Sequence, residues 1–129
     1  MSIKINYSIK ANNKPSANTV LFADEKFNIN PLKKDLSNSE VSYISDLLKN
    51  SDLNKNMFVF ELSSKKKIVL VSIKKNIKTF DIENLGAELY GRVNYGKSSE
   101  YYLKSNNIIT KDKNFISHFL HGFKLKSYE

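Results

Sequence analysis

The sequence has 129 residues, 21 basic and 13 acidic side chains, a formal net charge of +8 and no cysteine. The length suits one domain, and 40% apolar residues with 7 Tyr and 8 Phe can form a sizeable hydrophobic core. Without cysteine, disulfides, thiolate zinc sites and a cysteine nucleophile are excluded. We predict one domain over residues 1–129, with a cytoplasmic location, because the sequence shows no signal peptide and no apolar window of membrane-spanning length.

The first part of the chain predicts two strands of different kinds. Residues 3–9 alternate apolar and polar side chains, which is the period-two pattern of a strand buried on one face. Residues 19–23 form a short apolar run closed by Asp24, which is typical of a fully buried strand. Residues 28–34, which include Pro31, show no regular pattern and are expected to be irregular.

A helix and a hairpin are predicted next. Ser37 and Glu40 have the spacing of a capping box, in which each side chain accepts a hydrogen bond from the backbone amide of the other residue. The apolar residues of the helix that follows share one face: Val41, Ile44, Leu47 and Leu48. Two apolar runs, at 57–62 and 68–73, are joined by too few residues for a crossover helix, so we predict adjacent antiparallel strands.

The rest of the chain predicts a helix, a strand and a last helix. Asp81 is placed to cap the first of these helices, and Gly86 within it allows close packing. Its apolar stripe comprises Ile82, Leu85, Leu89 and Val93. Residues 100–104 are a weaker strand candidate, and Asp112 is placed to cap a closing helix over about 112–129. The inward side of that helix comprises Phe115, Ile116, Phe119, Leu120 and Phe123.

The predicted element order is therefore β-β-α-β-β-α-β-α. Buried strands that alternate with helices predict an α/β fold with a mixed sheet flanked by helices. No stretch repeats at a fixed period and no Pro-, Gly- or Ser-rich linker divides the chain, so one compact unit is expected.

The string from Gly91 to Ser98 fits the phosphate-loop pattern of a Gly, four residues and Gly-Lys-Ser. A working phosphate loop follows a strand and opens a helix, so that the loop amides and the helix N-terminus both face the phosphates. Here the predicted order is reversed, because a helix precedes the string and a strand follows it. We interpret the string as a helix end capped by Gly96.

Other catalytic and metal-binding arrangements lack necessary groups. His118 and His121 have a spacing that suits two ligands of one metal, but no acidic residue lies one turn away in the same helix. No Gly-x-Ser-x-Gly elbow is present, which argues against a Ser-His-Asp triad. The carboxylate pairs at 24–25 and at 81 and 83 lie at element ends, where acidic side chains commonly cap and solvate. We expect no catalytic, cofactor-binding or metal-binding residue in this chain.

The positive charge suggests a different class of function. Four lysines form a candidate anion surface: Lys65, Lys66, Lys67 and Lys97. Tyr95, Tyr101 and Tyr102 near Lys97 would stack on the bases and contact the phosphates of a nucleic acid. The alternative for Lys65, Lys66 and Lys67 is that they solubilise the ends of the sheet. However, 20 of the 21 basic residues are lysine, whereas arginine is preferred for phosphate and base contacts. The abundance of Lys, Asn and Ile is what an A- and T-rich genome produces, so compositional drift is the simpler interpretation.

The C-terminal segment carries a more specific pattern. Gly122, Leu125 and Tyr128 follow one another at intervals of three residues. The segment resembles the helix that closes the N-terminal domain of the leucyl (cytosol) aminopeptidase family, in which Gly, Leu and Tyr hold these places. His121 stands where that family commonly has an acidic residue. Residues 80–93, with Leu85-Gly86-Ala87, look like the family's helix that carries a Gly-Ala pair, and residues 19–24 fit its early buried strand.

This resemblance implies a macro-domain-like three-layer sandwich and a non-catalytic role. It implies that the native chain continues past Glu129 into a catalytic domain, which would be the partner of this one. That domain would bind two divalent ions, manganese or zinc, through Asp, Glu and Lys side chains. The full-length protein would be a hexamer that releases N-terminal amino acids from peptides. No catalytic residue is carried over, because no catalytic string of the family, such as Asn-Thr-Asp-Ala-Glu-Gly-Arg, occurs here.

The alternative function is a binding module for nucleic acid or for a nucleotide such as ADP-ribose. The expected fold permits such a function. Against the nucleotide, four scattered glycines supply no glycine-rich loop through which backbone amides could approach a diphosphate. No membrane partner is expected.

Overall fold

A computed structural model describes residues 4–7, 18–52, 54–63, 66–74, 77–93, 100–104 and 114–128. In chain order the elements are β1 (Lys4–Tyr7), β2 (Asn18–Asp24), a 3-10 helix (Asn30–Asp35), α1 (Asn38–Lys49), β3 (Met57–Ser63), β4 (Lys66–Ile73), α2 (Thr79–Val93), β5 (Glu100–Lys104) and α3 (Phe115–Ser127). The predicted order of strands and α-helices is confirmed. The 3-10 helix was not predicted, because its sequence has no helical periodicity.

The strands form a mixed five-stranded sheet in the order β1-β5-β2-β4-β3. β1, β5, β2 and β4 pair in parallel, and β3 lies antiparallel to β4 at the edge, with Val59 opposite Val69. This confirms the predicted hairpin. The β3–β4 register shifts between Glu61 and Ser63, so the edge strand is irregular near its end.

Helices cover both faces of the sheet because the central strands are apolar on both sides. Val20 and Phe22 of β2 are buried in the core beneath α2 and α3, whereas Leu21 and Ala23 are buried in the core beneath α1. β4 divides in the same way between the two cores. The molecule is thus an α/β fold with a sheet between two helical layers.

The capping box predicted for α1 is confirmed and is linked to the sheet. Glu40 Oε1 accepts a hydrogen bond from the Ser37 backbone amide at 2.9 Å, and Ser37 Oγ accepts one from the Glu40 amide at 3.2 Å. Glu40 Oε2 also lies 2.7 Å from Nζ of Lys66 on β4, and both side chains are largely buried. One carboxylate therefore both caps α1 and holds its start against the sheet. Of the predicted apolar face, Ile44 and Leu48 are buried, whereas Leu47 is 38% exposed.

The layer on the opposite face depends on the close approach of α2 and α3. A Cβ built on Gly86 would lie 1.9 Å from the Phe119 carbonyl oxygen, and one built on Gly122 would lie 1.9 Å from the Glu83 carbonyl oxygen. Both neighbours are backbone atoms, so neither can turn aside. The prediction that Gly86 permits close packing is confirmed, and Gly122 has the same role on the other helix. We call this contact between the two helix backbones the α2–α3 seam.

Aromatic side chains join this helical layer to the sheet. The Phe22 ring of β2 meets the rings of Phe115 and Phe119 edge-on, each at 5.3 Å between centroids. Tyr90 of α2 meets Phe123 of α3 in the same way at 5.2 Å. Such edge-to-face pairs are worth about 0.5–1.5 kcal/mol beyond the area that they bury.

Two predicted helix starts were wrong. α2 begins at Thr79, so Asp81 lies inside the first turn and does not cap the helix. α3 begins at Phe115 with Asn114 at the N-cap, and it ends at Ser127, so it is shorter than the predicted 112–129. Asp112 lies outside the described residues. A carboxylate in a first turn and one at an N-cap are both favoured by the helix dipole, so the sequence alone does not separate the two positions.

Replacing Gly86 with alanine will lower the free energy of unfolding by about 1–3 kcal/mol, because the new methyl group overlaps the α3 backbone. The overlap outweighs the roughly 1 kcal/mol by which alanine favours a helix over glycine. Urea denaturation followed by far-UV circular dichroism measures the change. The control is Gly91→Ala in the same helix, where a Cβ meets no atom within 4 Å. Equal denaturation midpoints for the two variants would contradict this account of the seam.

Replacing Glu40 with glutamine will lower stability at neutral pH by about 1 kcal/mol, and the difference will shrink in acid. Burial raises the pKa of Glu40, but the Lys66 ion pair and the Ser37 hydrogen bonds outweigh it and hold the pKa below its ordinary value of 4.5. A carboxylate with a lowered pKa stabilises the fold above its unfolded-state pKa, and this contribution is lost as pH falls through the folded-state pKa.

Urea denaturation of the wild type and Glu40→Gln over a pH series measures this dependence. Glu61→Gln is the control, because Glu61 is 71% exposed and its oxygen lies 3.9 Å from Nζ of Lys67. We expect this control to change stability by less than about 0.5 kcal/mol throughout the series. A Glu40→Gln difference that stays constant from neutral to acid pH would rule out the carboxylate as its source.

Candidate functional site

A cavity of about 310 Å³ lies beside α2, at the start of β3 and the end of β4. Four of its lining residues come from one side of α2, at helical spacing: Asp81, Asn84, Leu85 and Glu88. The others are Asn56, which precedes β3, Ser72 near the end of β4, and Lys74 and Ile77 between β4 and α2. The described lining therefore combines two carboxylates, one ammonium group, amides, a serine and an apolar part.

The contacts of the two carboxylates differ. Glu88 accepts hydrogen bonds from Asn56 Nδ2 at 3.3 Å and from Arg92 Nε at 3.1 Å, one on each carboxylate oxygen. Asp81 is exposed, and neither it nor the exposed Lys74 has an ion pair with another described residue. Among the described residues of the lining, Asp81 and Lys74 are thus the charged groups available to a ligand.

The topology of the sheet favours this end of the molecule as a binding site. β2 and β4 are parallel neighbours, and the helices that follow them lie on opposite faces, so their carboxyl ends form a switch point of the sheet. Ser72 Oγ donates to the Asp24 carbonyl oxygen across these strand ends at 3.4 Å. In open α/β sheets, ligands bind outside the carboxyl ends of strands at such points.

The turn after β2 is tightly organised at the same edge. Asp24 Oδ1 accepts hydrogen bonds from the backbone amides of Lys26 at 3.1 Å and Asn28 at 2.9 Å. Between them, the buried Phe27 has a φ of 54°, in the left-handed region that non-glycine residues rarely adopt. Asp24 therefore orders this turn, as expected for a carboxylate at an element end.

The end of α3 presents apolar side chains to solvent. Leu125 is 52% exposed and Tyr128, three residues later, is 74% exposed, whereas Phe119 and Phe123 of the same helix are buried. The three residues that resemble the family's closing helix, Gly122, Leu125 and Tyr128, thus have two different roles. Gly122 lies in the seam with α2, and Leu125 and Tyr128 are exposed at the helix end.

The structure describes two of the four lysines of the candidate anion surface. Lys66 pairs with Glu40 and Lys67 lies near Glu61, so each positive charge already faces a carboxylate. Lys65 and Lys97 lie outside the described residues, so the surface as a whole stays a prediction. Of the tyrosines proposed to stack on bases, Tyr101 is only 1% exposed and is part of the core, which excludes it from that role.

The histidines of α3 do not form a described metal centre. His121 Nδ1 contacts Glu83 Oε2 on α2, a partner from another helix that the sequence pattern did not reveal. Among the described residues, no group of three or more His, Cys, Asp or Glu side chains is placed to bind a metal ion. The His121–Glu83 contact instead links the two helices beside Gly122.

The elements on either side of the phosphate-loop string have the reversed order that the sequence predicted. Gly91, Arg92 and Val93 form the last turn of α2, and β5 begins at Glu100. Residues 94–99, including Gly96 and its predicted cap, lie outside the described residues. A helix thus leads into the string and a strand follows it, so the string does not have the context of a phosphate loop.

The chain matches no protein-family model, no curated protein and no solved structure. In the parts of the chain that the structure describes, no helix has both the length and the apolar character needed to cross a membrane.

Proposed function

We propose that this chain is the non-catalytic N-terminal domain of a metal-dependent leucyl aminopeptidase. The observation that carries the proposal is the meeting of Gly86 and Gly122 in the α2–α3 seam, where each glycine lies against the backbone of the other helix. These glycines belong to the two segments that resemble helices of that family. Two separate sequence patterns thus serve a single packing contact, which is what a shared ancestral fold would require.

The layer arrangement supports the macro-domain-like form of this proposal. A mixed sheet lies between helices on both faces, and α2 connects the parallel strands β4 and β5. The two divalent metals and the hydrolysis of the peptide bond are assigned to the catalytic domain. This chain would act as a scaffold that packs on that domain.

The exposed end of α3 is the surface through which we propose that packing. Leu125 and Tyr128 together present apolar area in a helix whose other large apolar side chains are buried or half-buried. Lys124 and Lys126 are exposed beside them, so a complementary surface would have an apolar centre and acidic residues at its rim.

The alternative of a nucleotide or nucleic-acid module gains no specific support. The cavity beside α2 carries Asp81, which repels a phosphate and has no ion pair with another described residue. The described lysines of the candidate anion surface face carboxylates, and Tyr101 is buried. We therefore keep the aminopeptidase domain as the proposal.

The decisive experiment extends the coding sequence beyond codon 129 and assays both forms of the protein with leucine p-nitroanilide. We expect the extended protein to contain Asp, Glu and Lys metal ligands and to hydrolyse the substrate after addition of manganese or zinc. We expect the 129-residue chain to give no turnover under the same conditions. Turnover by the 129-residue chain, or a native protein without such a metal-binding domain, would refute the proposal.

The packing surface is tested in the full-length protein with the double variant Leu125→Lys/Tyr128→Ser. Burying one such side chain is worth about 1.5–3 kcal/mol, so the double variant loses that stabilisation of the interface. In calorimetry we therefore expect the N-terminal domain of the double variant to unfold in a transition separate from that of the catalytic domain. The same substitutions should leave the stability of the 129-residue chain nearly unchanged, because both side chains are exposed there. Tyr43→Ser on α1, where the ring is 44% exposed, is the control. Indistinguishable calorimetric traces for the wild type and the double variant would show that this surface is not part of the interface.

A further inference from the structure

The cavity beside α2 has a chemistry that the proposed scaffold role does not use. It has opposite charges on different elements, with Asp81 in the first turn of α2 and Lys74 just after β4. Glu88 adds a second negative charge, but both of its oxygens already accept hydrogen bonds. A ligand that forms ion pairs with both Asp81 and Lys74 must carry an ammonium group for Asp81 and a carboxylate for Lys74.

The remaining lining residues restrict the ligand further. Ile77 is half-buried and Leu85 is 5% exposed, so this part of the lining suits a small apolar side chain. Asn56 and Asn84 offer amide donors and acceptors. The volume of about 310 Å³ equals that of about ten water molecules, which is enough for a ligand of the size of leucine.

Other ligand classes fit the lining less well. A phosphate or a nucleotide offers no cationic group for Asp81, whose charge would repel it. A divalent cation needs more ligands than the described residues gather, since they place no group of three metal-binding side chains together.

We propose that this cavity binds a free amino acid, or a zwitterion of similar size, with its ammonium group at Asp81 and its carboxylate at Lys74. The location at the carboxyl end of β4, next to the switch point between β2 and β4, supports this assignment independently of the charges. The proposal goes beyond the scaffold function and does not depend on it, because every contributing residue lies within the described chain.

Isothermal titration calorimetry and thermal unfolding of the 129-residue chain test the proposal with four probes. Leucine carries both charges, leucinamide lacks the carboxylate, N-acetyl-leucine lacks the ammonium group, and inorganic phosphate is a plain anion. We expect leucine to bind and to raise the unfolding temperature, with leucinamide and N-acetyl-leucine each at least about tenfold weaker and phosphate without effect.

Two variants test which side chains contact the two charged groups of leucine. Asp81→Asn and Lys74→Met should each weaken leucine binding by at least about tenfold, because each removes one charge-assisted contact. Both side chains are exposed, so far-UV circular dichroism should show unchanged secondary structure. Asp46→Asn on α1 makes the same charge change at another exposed position and should leave binding intact.

The proposal is overturned if leucine does not bind, or if leucinamide or N-acetyl-leucine binds as tightly as leucine. It is also overturned if phosphate is the best ligand, or if Asp81→Asn binds leucine like the wild type. None of these outcomes bears on the assay for aminopeptidase activity, so the two proposals fail or succeed separately.

Discussion

The backbones of α2 and α3 come so close at Gly86 and Gly122 that neither position has room for a methyl group. This contact determines how closely the two helices lie against each other. Phe115 and Phe119 then reach the Phe22 ring of β2, and Phe123 meets Tyr90. α2 also supplies one side of the cavity, so the position of that lining depends on the same seam. Two glycines, from different elements, therefore permit the helix–helix contact on this face of the molecule.

The sequence predicted the elements because their signals are local. The capping box of Ser37 and Glu40 and the apolar runs of β2 and β4 each lie within a few residues, and each is confirmed. The order of strands in the sheet is not a local property. β5 lies between β1 and β2, far from its neighbours along the chain, and no pattern within residues 100–104 reveals its partners. The start of α2 was misjudged for a different, local reason, since a carboxylate such as Asp81 suits a first turn as well as a cap.

The candidate site was less predictable than the fold, because its groups come from separate segments. The amides, the charges and the apolar part of the cavity come together only once α2 packs beside the sheet. The contact between Glu83 and His121 joins two helices in the same way. The net charge of +8 was equally uninformative about the location of a binding surface, since the described Lys66 and Lys67 face carboxylates. A charge total describes the chain, whereas recognition depends on which charges stay available after folding.

The irregular end of β3 affects how the protein behaves in concentrated solution. β3 is an edge strand, and its first residues, Met57–Phe60, are all apolar with high strand propensity. An edge of this kind invites pairing with the same strand of another molecule. The register shift between Glu61 and Ser63 interrupts the regular spacing of the strand, and the carboxylate of Glu61 projects into water at that point. An incoming strand would meet an irregular backbone beside an exposed charged side chain, so the edge itself opposes fibril-like growth of the sheet.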